Sequence, residues 1–412
     1  MCALRAHSNL FLCSLARALY VTQPSPNAEY VTYRAYTRVS AAALAPNPFR
    51  KPTAEFAEAF MTMATRFVGV IAALSFVLAP DALLGQRLAP DQPPSTQILF
   101  LGTAAGPPLR ADRSEPATLL IVDGRRYLID CGIGTARRLV KAGIASETIG
   151  IIFFTHLHAD HTLGLADVLA NDFQQRNTAD AAPTINIYGP PQTKALVDAA
   201  YQYISIPYHV FAAEGGGPKG GVPATSPFAV HEIGEGVVYQ DDKIRVVAVE
   251  NTHYALMPQS SRATMKSYSY RFETPHGTIV FTGDTGPSDA VTRLAAGADV
   301  LVSEVQNSAA LGAFVDRMAQ KNHWSPARRN VFEAHMTKEH LDIRDVGQMA
   351  ANAGVKAVLL YHWDPTDPAA YVAGVAKYFS GPVFGTEDLQ RYCLGASSPA
   401  RRPGRSQLHL CE

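Results

Sequence analysis

The string Thr155-His156-Leu157-His158-Ala159-Asp160-His161 puts three imidazoles and one carboxylate within a few positions of each other. Neutral imidazole and carboxylate are the natural ligands of zinc where no thiolates are present. His156 and His158 are two apart, so in an extended segment they point the same way. Asp160 and His161 follow a turn and can face a second metal. The plainer alternative is a set of surface or helix-capping histidines. Against it, the apolar run Gly150-Ile-Ile-Phe-Phe154 ends directly in the string, as a buried strand delivering ligands at its C-terminal end would.

The elements that must position such a site begin at Thr96. Gln97–Leu101 reads as a strand. Ala117–Val122 and Arg126–Asp130 read as a hairpin on the Asp123-Gly124 turn. Gly134–Ala142 reads as a helix. Thr184–Tyr188, Ile244–Val249, Ser267–Phe272, Thr278–Phe281, Asp299–Ser303 and Lys356–Tyr361 read as further strands, the later ones separated by helical stretches. Hairpins first and strand–helix alternation later give an α/β (α+β) chain with two sheets and outer helices. Residues 205–236, with Gly215–Gly221, read as a loop insertion of the kind that covers a substrate. No Gly-x-Ser-x-Gly elbow offers a protein nucleophile.

Composition bounds the rest. Of 412 residues, 47% are apolar and 17% charged, enough for a large core and unlike a disordered chain. Lys+Arg and Asp+Glu balance at 36 each, so no basic excess favours a nucleic-acid partner. The five cysteines include no Cys-x-x-Cys pair, which argues against thiolate zinc and against a disulfide framework. Residues 1–60 lack periodicity and are expected to be disordered and absent from the mature protein. Residues 61–88 have a short positive start and then the apolar run Phe67–Ala79, the anatomy of a signal peptide rather than a membrane span. Met61 or Met63 is then the expected translation start. The mature protein is expected to be periplasmic or secreted, with no membrane span. The catalytic domain is expected over 95–394, with a disordered Ser/Pro/Arg tail over 395–412.

The His-x-His-x-Asp-His string is the signature of the metallo-β-lactamase superfamily, which the chain resembles from about Gln97 to Leu394. The resemblance implies a four-layer αββα sandwich with metals at one edge. It also implies three further ligands, each directly after a predicted strand: His253, Asp284 and His362. By this resemblance one Zn²⁺ takes His156, His158 and His253, and a second takes Asp160, His161 and His362. Asp284 bridges them, and manganese or iron are alternative occupants. Two zincs about 3.5–4 Å apart share a hydroxide at neutral pH, because the metal lowers the pKa of water to about 7.

Phe100-Leu-Gly-Thr103, Pro107–Arg113, Asp130-Cys-Gly-Ile-Gly134, Gly283-Asp-Thr285 and Glu304 resemble the ribonuclease Z and arylsulfatase-like branch. In that branch a Glu–His pair serves the leaving group. The resemblance assigns it here to Glu304 and His335, alongside Asp160 as a catalytic metal ligand. His253 and Asp284 are 31 positions apart, leaving no room for the tRNA-gripping arm of ribonuclease Z. The expected activity is therefore cleavage of a sulfate or phosphodiester-type ester of a small molecule. A 3′-tRNA-processing endonuclease and a non-catalytic metal-binding protein are the alternatives. A homodimer is the expected assembly.

Overall fold

The computed structural model describes residues 95–106, 108–175, 185–216, 221–364, 367–395 and 408–411. The expectations for 1–60 and 61–88 lie outside these residues. The first sheet contains β1 (Thr96–Gly102), β2 (Ala117–Val122), β3 (Arg125–Ile129), β4 (Ile151–Phe153), β5 (Asn186–Gly189), β6 (Ala229–Glu232), β14 (Arg391–Leu394) and β15 (His409–Leu410). Its spatial order is β15-β14-β1-β2-β3-β4-β5-β6. The second contains β7 (Gly236–Gln240), β8 (Arg245–Glu250), β9 (Tyr268–Thr274), β10 (Gly277–Phe281), β11 (Val300–Glu304), β12 (Val358–Tyr361) and β13 (Val383–Gly385). Its order is β13-β12-β11-β10-β9-β8-β7.

Side-chain alternation sorts the strands between layers. On β1, Ile98 and Phe100 face Phe272, Phe281 and Tyr361 between the two sheets. Leu99 and Leu101 face outward, under α1 (Thr135–Lys141), α3 (Leu165–Gln175) and α4 (Thr193–Ala213). On β12, Leu359 and Tyr361 point between the sheets. Val358 and Leu360 point out under α6 (Asp289–Leu294), α9 (Ile343–Ala353) and α10 (Pro368–Ala376). Two sheets face to face with helices on both outer faces make an α/β sandwich of four layers, αββα. The β2–β3 hairpin turns at Asp123 (φ 47°) and Gly124 (φ 84°), the paired positive values of a type I′ turn.

Asp241 ties the sheets together beside this hairpin. Its carboxylate accepts hydrogen bonds from Tyr127 Oη (2.7 Å), Tyr239 Oη (2.8 Å) and the backbone N–H groups of Lys243 (2.7 Å) and Ile244 (2.8 Å). Burial works to raise its pKa, but these hydrogen bonds and that from Arg125 win and hold it down to about 2. Asp241→Ala strands the fully buried Tyr127 hydroxyl and is expected to cost about 2–4 kcal/mol of stability at neutral pH. A depressed carboxylate stabilises above its unfolded pKa, near 3.8, and loses that contribution as pH falls through about 2. Thermal unfolding of parent and variant should therefore converge on acidification. A gap at about pH 2 as wide as the gap at neutral pH would refute this account.

Three expectations need correction. Residues 205–236 are not a loop: α4 continues through Ala213, and β6 and β7 begin inside the remainder. Val197, Tyr201, Ile204 and Tyr208 recur at helical spacing and are buried on one face, which carries the helix through Pro207. Residues 217–220 lie outside the described residues. The tail is not structureless at its end: β15 pairs antiparallel with β14. Its Cys411 forms a disulfide with Cys393, across a Cα–Cα distance of 5.3 Å, where no disulfide was expected. The strand pairing supplies that proximity, which cysteine spacing alone does not reveal.

Candidate metal centre

The end of β3 prepares the site. Asp130, buried and at φ 58°, accepts hydrogen bonds from Thr155 N (2.8 Å) and Thr155 Oγ1 (2.9 Å). It also takes the Nδ1 proton of His161, at 2.8 Å. That bond fixes the tautomer of His161 and turns Nε2 inward. His253 is oriented in the same way by donating from Nδ1 to the carbonyl of Glu339 at 2.9 Å. His158 stands at the N-cap of α2 (Ala159–Thr162), in extended conformation. His362 directly follows β12 at φ 46°, a strained value for a residue with a side chain. The Oδ2 atom of Asp160 accepts from Gly106 N at 3.1 Å. A Cβ on Gly106 would collide with Asp160, so only glycine lets the loop after β1 come this close.

The structure gathers all seven expected ligands. His156, His158, His253 and Asp284 form one cluster, and Asp160, His161 and His362 form another, with candidate ligand atoms in each within 4.8 Å of one another. Asp284 stands between them. Its Oδ2 is 3.4 Å from Nε2 of both His161 and His362, 3.8 Å from Nε2 of His156 and 3.9 Å from Nε2 of His253. A third grouping, Asp284, Glu304 and His362, shares two of these residues.

These residues fit divalent cations. His156 Nε2, His161 Nε2 and Asp284 Oδ1 are buried without any hydrogen-bond partner, an expensive state unless a cation takes the lone pairs. Burial holds His156 and His253 well below the ordinary histidine range and pushes His158 down to about 4. Neutral imidazole is the ligand form. Burial also pulls on His161 and His362, but carboxylates raise both, Asp284 foremost in each case. So much buried negative charge calls for positive charge at this point, which bound cations supply.

The expected Glu304–His335 pair does not form. Glu304, at the buried end of β11, accepts from Thr285 N (2.6 Å) through Oε1 and pairs with His340 Nδ1 (2.6 Å) through Oε2. His335 pairs instead with Glu339, four residues on, at 2.6 Å. The reason is local. His335 lies on α8 (Pro326–Lys338), where i and i+4 side chains meet, whereas His340 follows the helix end and turns inward toward β11. Burial opposes the charge on His340, but Glu304 pushes its pKa up to about 9, so it carries a proton at neutral pH. Sequence reading passed over His340, which stands two residues before the N-cap Asp342 of α9. Asp130 and Glu339, which orient ligands from behind, were also missed in that role.

A sandwich of this kind with histidines and aspartates gathered at one edge, together with the family and relatives it matches, makes the chain a metal-dependent hydrolase of ester bonds. The chain belongs to the beta-lactamase superfamily: the model of the beta-lactamase superfamily domain matches residues 125–363. It is similar to the ribonuclease Z of a Mycobacterium species (strain KMS), 30% identical over 72% of this chain and 95% of that one. It is also similar to the ribonuclease Z of Mycobacterium bovis (strain BCG / Pasteur 1173P2), at 28% identity over 72% and 97%. Among solved structures, the metallo-beta-lactamase fold protein YhfI of Bacillus subtilis superposes with a TM-score of 0.50 at 15% identity. That match covers 73% of this chain and 99% of that one, a likeness of fold. The similarity falls on the ribonuclease Z side of the expected branch.

Proposed function

We propose that this protein is a phosphodiesterase of the ribonuclease Z type, cleaving an RNA phosphodiester with two divalent ions, zinc in first place. The observation that carries the reading is the buried Glu304–His340 pair beside the two ligand clusters, in a chain similar to ribonuclease Z along nearly the whole of that protein. Ions held by His156, His158, His253, Asp160, His161, His362 and Asp284 would supply Lewis acidity and would make a water more acidic. The chain's own residues do the rest. Asp130, Thr155 and the Glu339 carbonyl fix the imidazoles. Glu304 takes Nδ1 of His340 and keeps that ring protonated, leaving Nε2 to protonate the departing oxygen.

A second reading keeps the chemistry and changes the substrate to a phosphodiester or sulfate ester of a small molecule. Between His253 and Asp284 the chain forms only α5 (Gln259–Arg262), β9 and β10, with no extended arm. The Cys393–Cys411 disulfide suits an oxidising compartment, which under this reading is the periplasm or the exterior. One assay separates the two. The zinc-loaded protein is offered a pre-tRNA with a 3′ trailer, bis-p-nitrophenyl phosphate and p-nitrophenyl sulfate. Trailer removal supports the first reading. Turnover of either aryl ester with the pre-tRNA left intact overturns it in favour of the second.

A further inference from the structure

The hairpin of α7 (Ser308–Lys321) and α8 stands apart from the four layers. The two helices pack chiefly on each other. Only Leu311 and Val315 of α7 are buried, and no residue of α8 is. Phe314, Trp324 and Phe332 hold the pair together through ring contacts. Its charge is one-sided. Arg317, Lys321, Arg328, Arg329 and Lys338 stand against Asp316 and Glu333 alone. Arg329 pairs with both of these acids, at 2.8 and 2.7 Å. Arg317, Lys321, Arg328 and Lys338 are exposed and have no carboxylate partner among the described residues. Arg328 rests over the Trp324 ring, 5.2 Å from its centroid, which holds its guanidinium in place.

The base of this hairpin is anchored at the metal centre. The carbonyl of Lys338 lies where a Cβ on Gly286 would be, two residues past Asp284. Gln306 donates to the carbonyl of Met336. Glu339 accepts from Leu256 N at 2.6 Å. His335 lies 5.5 Å from His253 and 6.1 Å from His158, ring to ring. At 3.6 residues per turn, Arg328, His335 and Lys338 fall within about 80° of one another on α8, while Glu333 lies on the far side. This face runs about 15 Å, long enough to meet several backbone phosphates.

The geometry points to the Arg328–His335–Lys338 face of α8 as the track that holds the RNA backbone and leads it into the metal centre, an inference that rests on the ribonuclease reading above. Arg328 and Lys338 contact phosphates outside the centre. His335, held through Nδ1 by Glu339, presents Nε2 where the track meets the ligands. Partner and surface match in charge: an unpaired basic face suits a polyanion and gains by counterion release.

The test uses the full zinc-loaded chain with Arg328→Ala, Lys338→Ala and the double variant, on pre-tRNA and on bis-p-nitrophenyl phosphate across a salt series. The expected result for the double variant is a KM for RNA raised about tenfold. The salt slope should shrink by roughly 0.7–0.9 for each lost phosphate contact. The ratio of RNA to small-diester kcat/KM should fall at least as far, with Arg328→Lys restoring much of it. RNA cleavage by the double variant with parental KM and salt slope overturns the track alone. Equal losses on both substrates overturn it as well, because the defect would then be in the centre. A parent that turns over the small diester and leaves RNA intact overturns the ribonuclease reading and the track with it.

Discussion

His340→Ala is expected to lower kcat on a phosphodiester with an alkoxide leaving group by about 10²–10⁴, the usual contribution of a positioned general acid. The same variant should lose far less on bis-p-nitrophenyl phosphate. p-Nitrophenolate is a weak base and departs without being protonated, so an enzyme lacking its acid still expels it. Damage to the metal centre itself would depress both substrates alike, which makes the ratio the informative quantity. The two candidate histidines are separated by the same measurement. His335 stands outside the Glu304 pair, and His335→Ala should show no comparable leaving-group selectivity. If His335→Ala reproduces the selective loss and His340→Ala does not, the assignment from geometry is wrong. The pH profile adds a sign. Glu304 raises the pKa of His340, so the acid form is present below that pKa and is lost as pH rises through it. Glu304→Gln removes the charge that holds the proton, and the alkaline limb of kcat should move to lower pH.

The strand-borne part of the site was legible because each ligand there follows closely on the end of an apolar run. Phe154 precedes the His156 string, Phe281 precedes Asp284, and Tyr361 precedes His362. A buried strand has a strong sequence signal, and the residue just past its end has a definite place at the edge of the sandwich. The four layers were implied by the resemblance, and the alternation on β1 and β12 shows how the side chains sort between them. What failed was the part that depends on contacts between distant segments. The partner of Glu304 is 36 positions away, and no local pattern distinguishes His340 from His335 as the one that reaches it. The resemblance assigned the pair to His335, which instead meets Glu339 four residues on along its own helix. The glycines of Gly215–Gly221 hid the length of α4, because punctuating residues outweigh a buried stripe unless the stripe is counted first. The Cys393–Cys411 bridge depends on the β14–β15 pairing, a tertiary event that cysteine counting does not reach.

Asp284→Ala is expected to abolish turnover and to uncouple the stability of the chain from divalent metal. Among the described residues, Asp284 Oδ2 is the one carboxylate oxygen within 3.9 Å of imidazole nitrogens from both clusters, so its removal strips a shared ligand. In the parent, a metal that binds only the folded chain adds about 2.7 kcal/mol at a hundredfold excess over its Kd, and chelation removes that amount. The parent without metal keeps Asp160 and Asp284 buried, with Nε2 of His156 and of His161 lacking partners, and its Tm should fall on treatment with a chelator. In Asp284→Ala the buried charge is gone along with the ligand. Its metal-free form also loses the attraction between Asp284 and the His161 and His362 rings, so the informative quantity is the increment that metal adds: zinc should raise its Tm little. Measured zinc content should drop in parallel. His158→Ala supplies the contrast. His158 is only part-buried and serves a single cluster, so that variant should stay folded, lose turnover and retain the ion held by Asp160, His161 and His362. A parent whose Tm does not respond to zinc, manganese or iron would remove the metal centre from the account. A His158→Ala enzyme with full activity would remove His158 from the site.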